Sequence, residues 1–143
     1  MRKGFTLIEL LIVIAIIAIL ATAVILLLNP AALLAQARDS QRISDLDTVR
    51  TAIALWQSTT GSNLGGSASA CYFFNPTAPI APGVNCDGRH TGRTTTANTS
   101  SAVDGTGWVL GIDFRTTPGG SPLSVLPRDP KPDATHFYSY TTN

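Results

Sequence analysis

Charge is scarce in this chain, and one kind of acid is nearly missing. Only 13% of the 143 residues are charged, and the nine acids include a single glutamate, Glu9. There are two histidines, His90 and His136, and two cysteines, Cys71 and Cys86. No Ser, His and Asp fall into a nucleophile-elbow pattern, so no catalytic residue is assigned and an enzyme is not expected. Two histidines beside cysteines that can oxidise make a poor zinc site, so no metal and no cofactor are expected. The ten basic residues nearly balance the nine acids, which leaves no basic field and no direct nucleic-acid binding.

What the chain does have is one long hydrophobic run. From Leu10 to Leu28 every residue but Thr22 is apolar, a stretch of about 28 Å at about 1.5 Å per helical residue and long enough to cross a bilayer. Glu9 lies at its start, after Met1-Arg2-Lys3-Gly4-Phe5. A charge in a membrane span costs about 2.5 to 3.5 kcal/mol on insertion scales, so Glu9 is read as functional. Arg2 and Lys3 precede the run and the next basic residue is Arg38, so the positive-inside rule places the N-terminus in the cytoplasm and the rest outside.

Arg2-Lys3-Gly4-Phe5-Thr6-Leu7-Ile8-Glu9-Leu10-Leu11-Ile12-Val13 resembles the N-terminus of the type IV pilin-like proteins, a family of pilins and type II secretion pseudopilins. The shared pattern is a short basic leader ending in glycine, then phenylalanine, a small polar residue, a few apolar residues and glutamate, followed by an unbroken apolar helix. The resemblance implies cleavage between Gly4 and Phe5 by a prepilin peptidase, with N-methylation of Phe5. It also implies assembly into a homo-oligomeric filament through the Phe5–Leu28 helix, on a pilus or secretion platform with its ATPase, and a role for Glu9 in setting the register between subunits. A pilus subunit is the first reading, and a pseudopilin of a secretion or DNA-uptake system is the alternative within the family. A signal-anchored exported binding module that does not polymerise is the alternative of another class. An ordinary secretory signal would explain Ala21-Thr22-Ala23 as a small-residue site, but its apolar region is usually shorter and carries no acid in its first turn.

Four regions follow: a leader over 1–4, a transmembrane and assembly helix over 5–28, an amphipathic continuation over 29–60, and a loop-rich extracytoplasmic β head over 61–143. Pro30 is expected to kink the helix, because it has no N–H for the carbonyl of Leu26. Beyond it Ile43, Leu46, Val49, Ile53 and Trp56 form one apolar stripe, with Asp39 and Arg42, and Asp47 and Arg50, as i, i+3 pairs on the wetter sides.

From Gly61 the composition turns to Gly, Ser, Thr, Asn and Pro, with prolines at 76, 79 and 82 and one apolar cluster, Cys71-Tyr72-Phe73-Phe74, read as a short strand. Outside the cytoplasm a Cys71–Cys86 bridge is favoured, closing a loop of about 16 residues for roughly 3 kcal/mol on the chain-entropy model, with two free thiols as the competing state. Arg89, His90 and Arg93 add a small basic spot. Strands are predicted over Trp108–Phe114 and His136–Thr141, with a shorter one at Leu123–Leu126. The fold class is therefore α+β, a long N-terminal helix on a small antiparallel sheet. Asp104, Asp113, Asp129 and Asp133 are read as turn formers ahead of calcium ligands, and Asn98-Thr99-Ser100 fits a glycosylation sequon.

Overall fold

The computed structural model describes residues 4–61, 63–75 and 84–142. The leader residues Met1 to Lys3 and the proline-punctuated piece at 76–83 lie outside them. The chain divides into two compact units, Met1–Asp39 and Ser40–Asn143.

Helix α1 spans Leu7–Leu28 and α2 spans Pro30–Thr60. The expected kink is a full break of one residue. Asn29 adopts the left-handed conformation (φ 38°, ψ 75°) and caps α1, while Pro30 is the first residue of α2. A proline ring disfavours the right-handed helical region for the residue before it. Asparagine tolerates the left-handed alternative better than most residues, and proline suits the first position of the new helix, where its missing N–H costs nothing.

In the second unit, Val49, Ala52 and Trp56 are the buried face of α2, and Ile53 packs partly against the same core. The start of the predicted stripe is uncovered: Ile43 is 72% exposed and Leu46 47%. The face turned to the rest of the unit at this end of α2 carries Arg42 and Asp45, which continue the Val49, Ala52, Trp56 line at helical spacing and are partly buried, so Ile43 and Leu46 fall beside it. The sheet itself is small, with strands β1 (Ala70–Phe74), β2 (Thr94–Asn98) and β3 (Ser139–Tyr140).

The sheet order is β2-β1-β3. The α+β class holds, but the sheet is mixed where all-antiparallel pairing was expected: β1 pairs with β3 antiparallel and with β2 parallel. A parallel neighbour needs a crossover, and here it contains the short helix α3, Val84–Asp87. Strand β1 is buried along its whole length, as an apolar run between two neighbouring strands must be. Ala70, Tyr72 and Phe74 join the main core with α2, while Cys71 and Phe73 belong to a second cluster with Cys86 and Phe137.

The predicted strand over Trp108–Phe114 is not a strand. Trp108, Val109, Ile112 and Phe114 are each 1% exposed or less, and the burial of adjacent Trp108 and Val109 breaks the alternation of a half-buried strand. The chain instead bends through Gly111 (φ 78°) into a 3₁₀ turn at Phe114–Thr116, which lets residues from several sides of the backbone enter one core. Leu123–Leu126 is likewise irregular: Leu126 is buried and Val125 is exposed. Of His136–Thr141 only Ser139 and Tyr140 pair with β1, because Asp133 and His136 close a turn just before them.

Gly65 and Gly111 bring two loops into backbone contact. A Cβ on Gly111 would stand 2.7 Å from Cα of Gly65, and a Cβ on Gly65 would meet the backbone of Gly111.

Polar ties fasten α2 to the C-terminal half of its unit. Arg42 grips Asp129 with both arms, Nε to Oδ2 at 2.7 Å and Nη2 to Oδ1 at 3.0 Å, and the Asp129 side chain is only 3% exposed. Burial opposes the Asp129 charge, but the Arg42 guanidinium and then the Lys131 amide outweigh it and hold the carboxyl below its ordinary range. Asp45 accepts a 2.8 Å bond from the Tyr138 hydroxyl; burial first, and this carboxylate second, push that phenol well above its usual value. Burial also pushes Tyr140 up to about 12. The two indoles are satisfied, Trp56 donating to the Thr116 hydroxyl and Trp108 to the Pro127 carbonyl, each at 3.1 Å.

Candidate processing and assembly site

The site begins where the apolar helix begins. Phe5 is 78% exposed, and a Cβ placed on Gly4 would meet nothing within 4 Å. Neither residue is packed against the rest of the described chain. Thr6 is the N-cap of α1, in an extended conformation (φ −84°, ψ 148°). Its hydroxyl accepts from the Glu9 amide at 3.4 Å. The Glu9 carboxylate reaches back to accept from the Thr6 amide at 2.8 Å and from the Thr6 hydroxyl at 2.6 Å. This is a capping box, in which two helix-end donors are satisfied reciprocally.

Glu9 is thus partnered within its own chain. Both bonds fall on one carboxylate oxygen, Oε2. The negative charge also lies in the first turn of the helix, at the positive end of its dipole. Thr6 is the residue that the sequence reading passed over, although Thr6-Leu7-Ile8-Glu9 has the T-x-x-E form of a capping box.

No residue of α1 is buried. Its one interior polar side chain, Thr22, donates its hydroxyl to the Ala18 carbonyl at 2.9 Å, which removes an unsatisfied donor from an apolar surround. Over its 22 residues the helix is about 33 Å long at about 1.5 Å per residue, matching the hydrocarbon thickness of a bilayer. A single apolar helix of this kind at the N-terminus is consistent with a membrane-anchored precursor.

The other candidates from the sequence are drawn into structure. Cys71 and Cys86 are bonded to each other. Asp104 accepts from the amide and hydroxyl of Thr106, Asp113 pairs with Arg115, Asp129 with Arg42, and Asp133 takes bonds from Thr135 and His136. All four carboxylates thus serve turns or ion pairs. The side chain of Asn98 donates to the carbonyls of Thr106 and Gly107 and accepts from the Ser100 amide, so the sequon amide is fully engaged. Arg89, His90 and Arg93 bond to neighbouring segments of the head.

No curated protein and no solved structure matches the chain significantly. The family described as the prokaryotic N-terminal methylation motif matches residues 1–25, so the chain carries the processing motif characteristic of type IV pilins and pseudopilins.

Proposed function

We propose that this protein is a structural subunit of a type IV pilus-like helical filament. It is cut between Gly4 and Phe5 by a prepilin peptidase, methylated on the Phe5 amine, and held in the inner membrane with its N-terminus cytoplasmic. An assembly platform then draws it into a filament through the Phe5–Leu28 segment. The observation that carries the reading is a motif-bearing helix with all its apolar side chains uncovered and one carboxylate at its start.

Cleavage turns the Phe5 amide nitrogen into a cationic amine four residues from Glu9. Because the capping box occupies Oε2, Oε1 is the oxygen that receives the amine of a neighbouring subunit, and this ion pair sets the axial register. Removing one partner of a buried ion pair typically costs about 3 to 5 kcal/mol, enough to stop incorporation.

The test follows two readouts separately in Glu9→Val. Mass spectrometry of the N-terminal peptide is expected to show a processed, methylated Phe5, while the yield of sheared filaments collapses. Normal filaments from the processed variant would overturn the charge-register mechanism. A mature start at Thr22 or Val24 would overturn the pilin reading itself.

A further inference from the structure

The two faces of the sheet are covered by different means. One face lies on α2 and the Trp108–Leu126 core. On the other face Phe73 and Phe137 meet edge to face, with ring centroids 5.5 Å apart, and the remaining members of their cluster are Cys71 and Cys86.

The segment from Cys86 to Arg93 lies against this aromatic pair and has no core of its own. None of the side chains from Asp87 to Arg93 is buried. Beyond the end of α3 at Asp87 its backbone is a succession of turns, and φ is positive at Cys86, Asp87, Gly88 and Gly92. Its internal backbone bonds reach only three residues, from the Arg89 amide to Cys86 and from the Arg93 amide to His90.

What holds it is a set of grips on the rest of the head. Arg89 donates to the carbonyls of Phe137, at 2.9 Å, and of Thr135, and its guanidinium lies 4.1 Å over the centre of the Phe137 ring. His90 Nε2 is 3.0 Å from the Ser139 hydroxyl. Arg93 donates to the carbonyls of Ala68 and Thr142. These bonds sit where water competes for their groups. Cys86 is different, being fully buried and joined covalently to β1 through Cys71.

We infer that the segment Cys86–Arg93 is a redox-held cover over the Phe73–Phe137 patch, sealed while the Cys71–Cys86 bridge is closed and opened by a dithiol reductant. Cys71 and Cys86 are both 0% exposed, so the dithiol reaches a sulfur when the segment fluctuates away from the sheet, and it then passes two electrons and two protons to the bridge. The sulfur–sulfur bond breaks, Cys71 and Cys86 become thiols, and the reductant leaves as a cyclic disulfide. Without the bridge, the upstream end of the segment loses its covalent cross-link to β1. Cys86 also donates its amide to the Thr95 hydroxyl of β2 at 2.9 Å, but the β1–β2 ladder rests on backbone pairing over five residue pairs and the core around α2 does not include Cys86, so both remain.

Arg89 and Arg93 are themselves tryptic sites, so limited trypsin digestion of the full chain in detergent micelles reads the cover directly. Reduction with dithiothreitol is expected to speed cleavage after Arg89 and Arg93 at least ten-fold, with cleavage after Arg50 and Arg128 changing less than two-fold. The double variant Cys71→Ser, Cys86→Ser should behave, without reductant, like the reduced protein. Unchanged rates at Arg89 and Arg93 in the reduced protein would overturn the inference. Equal acceleration at all four sites would overturn it too, by showing that the bridge holds the whole head and not a local cover. As a third measure, Arg89→Lys keeps a tryptic site but loses the two-carbonyl grip, and in the oxidised protein it should raise cleavage after Arg93 about three-fold. An oxidised Arg89→Lys protein as resistant as the parent would show that the arginine is no part of the cover.

Discussion

Helix α1 and the Ser40–Asn143 unit treat their apolar residues in opposite ways. In α1 every one is exposed, the large ones ranging from Leu27 at 84% to Val13 at 45%. In the second unit Trp108, Ile112, Phe114 and Leu126 are each 1% exposed or less, and three residue pairs tie side chains of α2 to residues beyond 115 through four hydrogen bonds. Among the described residues, α1 buries none of its side chains. The second carries its cover with it. Mutations should therefore separate the two cleanly, with assembly defects arising in one and folding defects in the other.

The sharpest break in that division is Trp108→Ala, which removes a buried ring and the donor to the Pro127 carbonyl. Phe and Trp truncations in cores cost about 3 to 5 kcal/mol, so urea unfolding followed by Trp56 fluorescence should shift to much lower denaturant while membrane integration stays intact. The converse is Ile16→Lys in the middle of α1. A central lysine costs about 2.5 to 3.5 kcal/mol on insertion scales, and the fraction resisting carbonate extraction should fall with no change in head unfolding.

Arg42→Met should destabilise the head by about 1 to 3 kcal/mol, since it leaves the Asp129 carboxylate buried without its cationic partner. The same pair gives the head an acid limb. The Asp129 pKa is depressed on folding, so its contribution is full above the ordinary Asp value of 3.8 and is lost as pH falls through the lower folded value. Unfolding midpoints measured between neutral pH and pH 2 should drop at the acid end, and Asp129→Asn should flatten that drop. The smallest effect belongs to Ile43→Ser. An exposed position away from caps and cores usually changes stability by less than about 0.5 kcal/mol, so the head should unfold as before, and any loss of filament yield would assign the uncovered end of the α2 stripe to subunit contact.

The sequence was most legible where a pattern has one physical cause. The apolar run of α1, the core half of the α2 stripe and the strand at Tyr72-Phe73-Phe74 were read from periodicity and composition alone. Strand β2 was missed because Thr94-Thr95-Thr96-Ala97-Asn98 is an edge strand with partly exposed side chains, and its β-branched threonines look the same as those of a surface loop. The Trp108–Phe114 segment misled in the other direction. Its apolar residues are core residues, but tertiary packing around a bent backbone, and not sheet pairing, buries them. At the candidate site, Gly4, Phe5 and Glu9 were legible through resemblance, whereas the Thr6–Glu9 capping box needed only a helix start at Leu7 and could have been read by rule. The Arg42–Asp129 pair could not: its members stand 87 positions apart, and nothing local in either neighbourhood announces the other.

The crossing of Gly65 and Gly111 bears on how freely this head can drift in sequence. Gly111 is exposed, and surface loops are ordinarily where substitutions accumulate. Yet every amino acid other than glycine carries a Cβ, and at Gly111 that one carbon would both collide with the Gly65 backbone and sit on a left-handed φ of 78°. No single codon change offers this position a tolerated neighbour. The outside of the head therefore contains a fixed point as unforgiving as its interior, and variation in the surrounding loops has to flow around it.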